Sequence, residues 1–284
     1  MATISRTKSS VPAAPPTLTA LLARPETLVM GVLNVTPDSF SDGGRFLDAK
    51  AALAQARRMI EEGAAIIDVG AESTRPYGGM QPISVDEEIA RLSPILAKVV
   101  QLGTPVSIDS MKAGVARFAL EHGAAMVNDV WGLQRDPKMA DVAAELGAAV
   151  VITHNRDAPD PAIAIMNDIA AFFARSLEIA ARAGIPASNI MLDPGIGFGK
   201  TAVQSLTVLR RLSELSSFGL PLLVGASRKS FIASVVPSEP QQRLAGSIAA
   251  HLVAVRNGAR VIRTHDVAET LQALKIAAAI GDSQ

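Results

Sequence analysis

The chain has 284 residues, enough for one large core and close to the about 250 that a barrel of eight βα units needs. Lysine plus arginine and aspartate plus glutamate number 27 each, so long-range attraction to a nucleic acid or an anionic membrane is excluded and small molecules become the expected partners. Cysteine is absent, which excludes a disulfide framework and a thiolate metal site and suits a reducing cytoplasm.

Residues 1–26 are rich in Ser, Thr, Pro and Ala without a continuous apolar core. They read as a flexible extension, not a secretory signal, leaving 27–284 as one domain. Apolar runs such as Leu220–Val224 fall far short of the roughly 18 residues of a membrane span.

From there, short β-branched runs follow at Leu28–Leu33, Ala65–Val69, Pro105–Ile108, Ala125–Asn128, Ala149–Thr153, Ile190–Leu192, Pro221–Val224 and Arg260–Arg263. Each fits a strand buried on both faces. Between them lie segments with helical spacing, among them Ala49–Glu62, Asp86–Val100, Lys112–His122, Asp168–Ala183, Val203–Leu215, Arg243–Arg256 and Glu269–Ala279. Gly63, Gly123, Gly147, Gly184 and Gly258 each stand where a helix returns to the next strand. Strict alternation predicts an α/β fold, a single-domain (β/α)8 TIM barrel, with an open doubly wound sheet as the competing arrangement.

In such barrels chemistry gathers where strands run into the following loops. The residues there are Asn34, Asp68 with Glu72, Asp109, Asn128 with Asp129, His154, Asp193, Lys229, and Arg263 with His265. Structural readings compete: Asp109 can cap the next helix, and Glu72 and Asp129 can fix loop geometry. The loop Gly195–Thr201 matches neither a Walker loop, which needs Gly where Pro194 stands, nor the dinucleotide pattern, which needs Gly at Lys200. It reads as backbone brought close to a flat ligand, with Phe198 offering a ring face. Gly225–Ser230 and Arg263–Asp266 follow the last two strands, the customary phosphate location, and Arg263 and His265 supply donors. For Arg228 and Arg263, pairing with nearby carboxylates such as Asp266 is the alternative.

Taken together, Gly31–Gly44 (GVLNVTPDSFSDGG), Glu72–Pro76 (ESTRP), Ser107–Ser110 (SIDS), Asn128-Asp129, Leu192–Lys200 (LDPGIGFGK), Gly225–Ser230 (GASRKS) and Arg263–Val267 (RTHDV) resemble the dihydropteroate synthase family, in family order. The resemblance implies a cytoplasmic transferase of folate biosynthesis, a sulfonamide target. It would join 6-hydroxymethyl-7,8-dihydropterin pyrophosphate to p-aminobenzoate, giving 7,8-dihydropteroate and pyrophosphate. It further implies Asn34, Lys229, Arg263 and His265 as catalytic; Asp109, Asn128, Asp193, Phe198, Gly225 and Lys229 on the pterin; and Asn34, Arg263 and His265 on the pyrophosphate. Phe40, Thr74, Arg75, Pro76, Lys229 and Ser230 would hold p-aminobenzoate, Asn34 would ligate Mg²⁺, and the chain would form a homodimer. The chain departs from the family pattern at Thr153, where a methionine is usual, at Gln204-Ser205, and in a longer segment Arg75–Ile83. A pterin-dependent methyltransferase, which would not need the pyrophosphate clamp, and a non-catalytic pterin-binding paralogue are the competing functions.

Overall fold

The computed structural model describes residues 17–35, 44–72 and 83–281. Eight parallel strands close in chain order, with β1 (Leu28–Asn34) hydrogen-bonded to both β2 (Ile66–Gly70) and β8 (Ala259–Thr264). Between them stand β3 (Val106–Asp109), β4 (Met126–Asp129), β5 (Ala149–Thr153), β6 (Ile190–Asp193) and β7 (Leu222–Val224). The closed (β/α)8 barrel is thus the fold, and the open sheet is excluded by the β1–β8 pairing.

Helices cover the outside. They include α2 (Gly44–Glu61), α5 (Ala113–Glu121), α6 (Met139–Glu145), α7 (Ile165–Ala183), α8 (Ala202–Arg210), α10 (Leu244–Arg256) and α11 (Val267–Gly281). The five helix-to-strand glycines all take positive φ, as at Gly184 with φ 86. The continuous helix predicted over Asp86–Val100 is instead two, α3 (Val85–Leu92) and α4 (Leu96–Val100). Pro94, between them, lacks the amide hydrogen that would continue the ladder. A four-residue α9 (Ser230–Ala233) follows β7.

Strand parity decides what each residue does. One set of alternate residues, such as Ile67, Ile108, Val127, Val150 and Leu192, packs outward against the helices. The other set, such as Ile66, Met126, Val151, Met191 and Leu223, fills the barrel interior. One step of two residues farther along the strands, the inward set becomes Asp68, Asp109, Asn128, Thr153, Asp193 and Arg263, all buried or nearly so.

The other end of the barrel is closed by residues placed in the expected flexible extension. Helix α1 (Leu18–Leu22), capped by the Thr17 hydroxyl on the Ala20 amide at 3.2 Å, buries Leu18 and Leu21 against Leu28 and Met30. Arg260 ties the following turn down by donating to the carbonyls of Leu22, Arg24 and Pro25. Residues 17–26, which composition assigned to the extension, are thus packed on the barrel, and residues 1–16 lie outside the described residues.

Candidate active site

The mouth is organised around Arg263. Its Nε donates to Asp68 Oδ2 and a terminal nitrogen to Asp109 Oδ2, each at 2.6 Å. Asp68 Oδ2 also accepts from Asn128 Nδ2 at 2.9 Å, so one guanidinium fixes residues of β2, β3 and β4. Three acceptors remain: Asp68 Oδ1, Asp109 Oδ1 and Asn128 Oδ1 are buried with no hydrogen-bond partner among the described residues. Burial pushes the Asp109 carboxyl up to about 7, an effect that Arg263 opposes and neighbouring Asp68 reinforces. Asp109 is thus not a helix cap; Lys112 occupies that place for α5, and Asp136 accepts from the first amide of the helix at 2.8 Å.

Across the mouth, Asp193 is 4% exposed and its Oδ1 accepts from the Gly195 amide at 2.7 Å. Burial raises its pKa, and the nearby Lys229, Lys200 and Arg263 charges oppose the rise. Lys229 donates to the Ile196 carbonyl, and its Nζ lies 4.3 Å from the centre of the Phe198 ring. Burial beside the Arg263 charge lowers Lys229 to about 8, with Asp193 pulling the other way. Asp193, Lys229 and Arg263 therefore share one cavity mouth and feel one another's charge.

Two local devices aim these groups. Arg228 has φ 58, a left-handed backbone rare outside glycine. It is held by its amide on Ser247 Oγ at 2.8 Å, by its carbonyl accepting from Arg243 at 3.0 Å, and by its side chain on Asp266 at 3.0 Å. This kink sends Ser227 to His265, whose Nδ1 is 3.0 Å from the hydroxyl, and Lys229 to the Gly195–Gly199 loop. The pairing read as the alternative at Arg228 is the one that occurs; Arg263 pairs too, but with Asp68 and Asp109 instead of Asp266.

The second device is Lys200, 2% exposed, donating to the carbonyls of Gly195 at 2.8 Å and Phe198 at 3.1 Å and lying 2.6 Å from His154 Nδ1. It holds the glycine loop from beneath while Lys229 sits above. Gly195 and Gly199 let the loop pack against the β5 loop: a Cβ on Gly195 would stand 1.9 Å from the His154 carbonyl oxygen, and one on Gly199 2.4 Å from Arg156 Cβ, while one on Gly197 would meet the Lys229 side chain at 3.3 Å.

His154 was expected at the rim, but it turns outward to Asp168 at 3.0 Å and to the Phe172 ring. Burial and the Lys200 charge lower it to about 3, so it is neutral. The inward residue of that strand end is Thr153, which the spacing of two from Val151 could have identified. Asp68 orients Asn128 and Arg263, and Lys200 braces the glycine loop; both functions rest on partners distant in sequence.

The scaffold readings hold for the remaining rim carboxylates. Glu72 accepts from Lys112 at 2.8 Å and the Ile83 amide at 3.0 Å, and Asp129 accepts from the Trp131 and Leu133 amides. Gln204 completes a capping box with Thr201, and Ser205 bonds the Thr201 carbonyl. Asn34 stands half-buried at the end of β1, Gly225 is buried beside Arg263, and Ser230 is exposed at the start of α9. Phe40, Thr74, Arg75 and Pro76 lie outside the described residues.

Comparison with known proteins bears directly on this mouth. Residues 30–265 match the model of a family described as pterin binding enzyme. The dihydropteroate synthase of Bacillus subtilis (strain 168) is 43% identical over 258 residues, covering 90% of each chain. A dihydropteroate synthase structure from Clostridium difficile, obtained in the presence of pteroic acid, superposes with TM-score 0.87 at 47% identity, covering 90% of this chain and 97% of that one. The Xanthomonas albilineans dihydropteroate synthase with 4-aminobenzoic acid gives TM-score 0.87 at 41% identity, covering 93% and 95%.

Proposed function

This chain belongs to the family of pterin-binding enzymes, and from that premise we infer its chemistry: it is a transferase that condenses 6-hydroxymethyl-7,8-dihydropterin pyrophosphate with p-aminobenzoate to give 7,8-dihydropteroate and pyrophosphate. The observation that carries the reading is the mouth itself, where buried acceptors of Asp193, Asp109 and Asn128 face the same cup as the Lys229 and Arg263 cations.

We propose the following assignments. The Asp193 carboxylate takes the ring N–H and one amine hydrogen of the aminopyrimidinone edge in parallel, assisted by Asp109 and Asn128 at the ring edge, and Lys229 donates to the carbonyl and a ring nitrogen. Phe198 and Gly225 flank the ring. Arg263, anchored on two carboxylates, and His265, beside Ser227, hold the diphosphate together with Asn34. Positive groups already in place lower the energy of the departing diphosphate, so carbon–oxygen cleavage runs ahead of attack by the amine. The aniline nitrogen is neutral at pH 7, so no strong base is needed. Ser230 contributes to the p-aminobenzoate end with Phe40, Thr74, Arg75 and Pro76.

Mg²⁺ fits this arrangement as a substrate-borne ion. The Asn34 side-chain oxygen is a hard donor at the mouth, no group of three His, Asp or Glu side chains forms a metal cluster among the described residues, and magnesium commonly shares few protein ligands with phosphate oxygens. When bound it would neutralise charge on the diphosphate. We also propose a cytoplasmic homodimer; the exposed apolar Val253, Ile276 and Ile280 on α10 and α11 support the dimer. No helix of the described residues is long and apolar enough to cross a membrane.

The test is pyrophosphate release by purified protein given both substrates and Mg²⁺. Release that depends on p-aminobenzoate and stops with EDTA supports the reading; absence of dihydropteroate product refutes it.

A further inference from the structure

We propose that Thr153 is a ligand-binding residue of this mouth, its hydroxyl accepting the hydrogen of the pterin's exocyclic amine that Asp193 leaves unused. The inference rests on the functional reading above and extends it to a residue that departs from the family pattern.

Thr153 is 1% exposed, and its Oγ1 has no hydrogen-bond partner among the described residues. It stands two residues beyond Val151, whose side chain lies in the barrel interior, and its Cα is paired with that of Asp193 in the β5–β6 ladder. Both side chains therefore point into the mouth from neighbouring strands. A valine would fill the same β-branched volume without the cost of burying an unpaired hydroxyl, so packing alone does not account for threonine here.

The order of groups around the mouth says which part of the ligand the hydroxyl meets. Asp193 lies on β6. On its β7 side stands Lys229, fixed by the Ile196 carbonyl and the Phe198 ring; on its β5 side stands Thr153. An aminopyrimidinone edge presents carbonyl, ring N–H and amine in succession. A carboxylate engages the N–H and one amine hydrogen in parallel. The carbonyl needs a donor and so faces Lys229, which is a donor only. The amine is thereby turned toward β5, and its second hydrogen meets Thr153 Oγ1. Ionised carboxylates accept only, whereas a hydroxyl can rotate to accept, so it adds this contact without another buried charge.

The experiment is a calorimetric titration of 6-hydroxymethylpterin, and of the same ring lacking the exocyclic amine, into wild type, Thr153→Val and Thr153→Ser. Thr153→Val weakens 6-hydroxymethylpterin by about tenfold, the size of one well-made hydrogen bond. It leaves the amine-free ring unaffected and melts at the same or a higher temperature than wild type. Thr153→Ser keeps the hydroxyl and binds within about threefold of wild type. Equal affinity of wild type and Thr153→Val for 6-hydroxymethylpterin overturns the proposal, as does a loss of the same size for both ligands, which marks a packing defect. Failure of the wild-type protein to bind 6-hydroxymethylpterin overturns the functional reading and this inference with it.

Discussion

The two ends of this barrel are built by the same strands two residues apart, and they obey opposite rules. At the floor, Ile66, Met126, Val151 and Met191 meet Leu18 and Leu21 of α1 in an apolar plug. At the mouth the next inward residues are Asp68, Asn128, Thr153 and Asp193, buried to a similar degree yet with several oxygens unpaired. The floor gains stability from every atom it hides. The mouth gives stability up, because a buried acceptor without a partner costs about 1–3 kcal/mol until a ligand supplies the donor. Binding strength at one end is underwritten by packing at the other.

Substitutions that separate stability from affinity test this division. The largest effect is expected at Arg263, which holds two buried mouth carboxylates. Arg263→Met strands Asp68 and Asp109 together, and chemical denaturation should show a loss of about 4 kcal/mol, with turnover abolished. Stability close to wild type in that variant would mean the carboxylates are not held by the guanidinium. Next comes the floor: Met191→Ala should cost about 3 kcal/mol while pterin affinity moves less than about threefold. A large affinity change there would show that the two layers are coupled.

One step along the same strand, Asp193→Asn reverses the pattern. Titration should find pterin binding weakened by about a hundredfold, as for a charged hydrogen bond, with the melting temperature unchanged or raised. Unaltered affinity would remove Asp193 from the site.

The smallest effects are in pH dependence. Asp109, raised to about 7, must ionise to accept fully, and Lys229, lowered to about 8, must keep its proton to donate. The kcat/KM for the pterin substrate should therefore peak narrowly between these values, and Lys229→Arg should carry its alkaline limb upward. Folded Asp109 also holds a proton that the unfolded chain releases above its ordinary 3.8. Its contribution to stability is thus full below 3.8 and is lost as pH rises through about 7; Asp109→Asn should flatten that slope, and an unchanged slope would contradict the raised pKa.

Much of this was legible without coordinates. Alternating apolar runs and helix-closing glycines define the βα units because period and punctuation are local properties, and the strand ends of such a barrel locate the site. Missed features depended on distant partners. Composition made residues 17–26 look unfolded, since their burial exists only against a barrel floor completed by β8, more than two hundred residues away. His154 looked like a site residue because a strand's last polar group draws attention, whereas parity hands the inward position to Thr153.

The sequence by itself determined the barrel, its eight repeating units and the set of polar residues at one rim, because hydrophobic period, turn chemistry and strand order are written along the chain. Only the tertiary structure decided which of those polar groups neutralise each other and which stay open to a ligand: Arg263 on Asp68 and Asp109, Arg228 on Asp266, Thr153 beside Asp193. Pairing of charges and exposure of lone pairs depend on separations of a few ångströms across strands, and sequence distance carries no record of them.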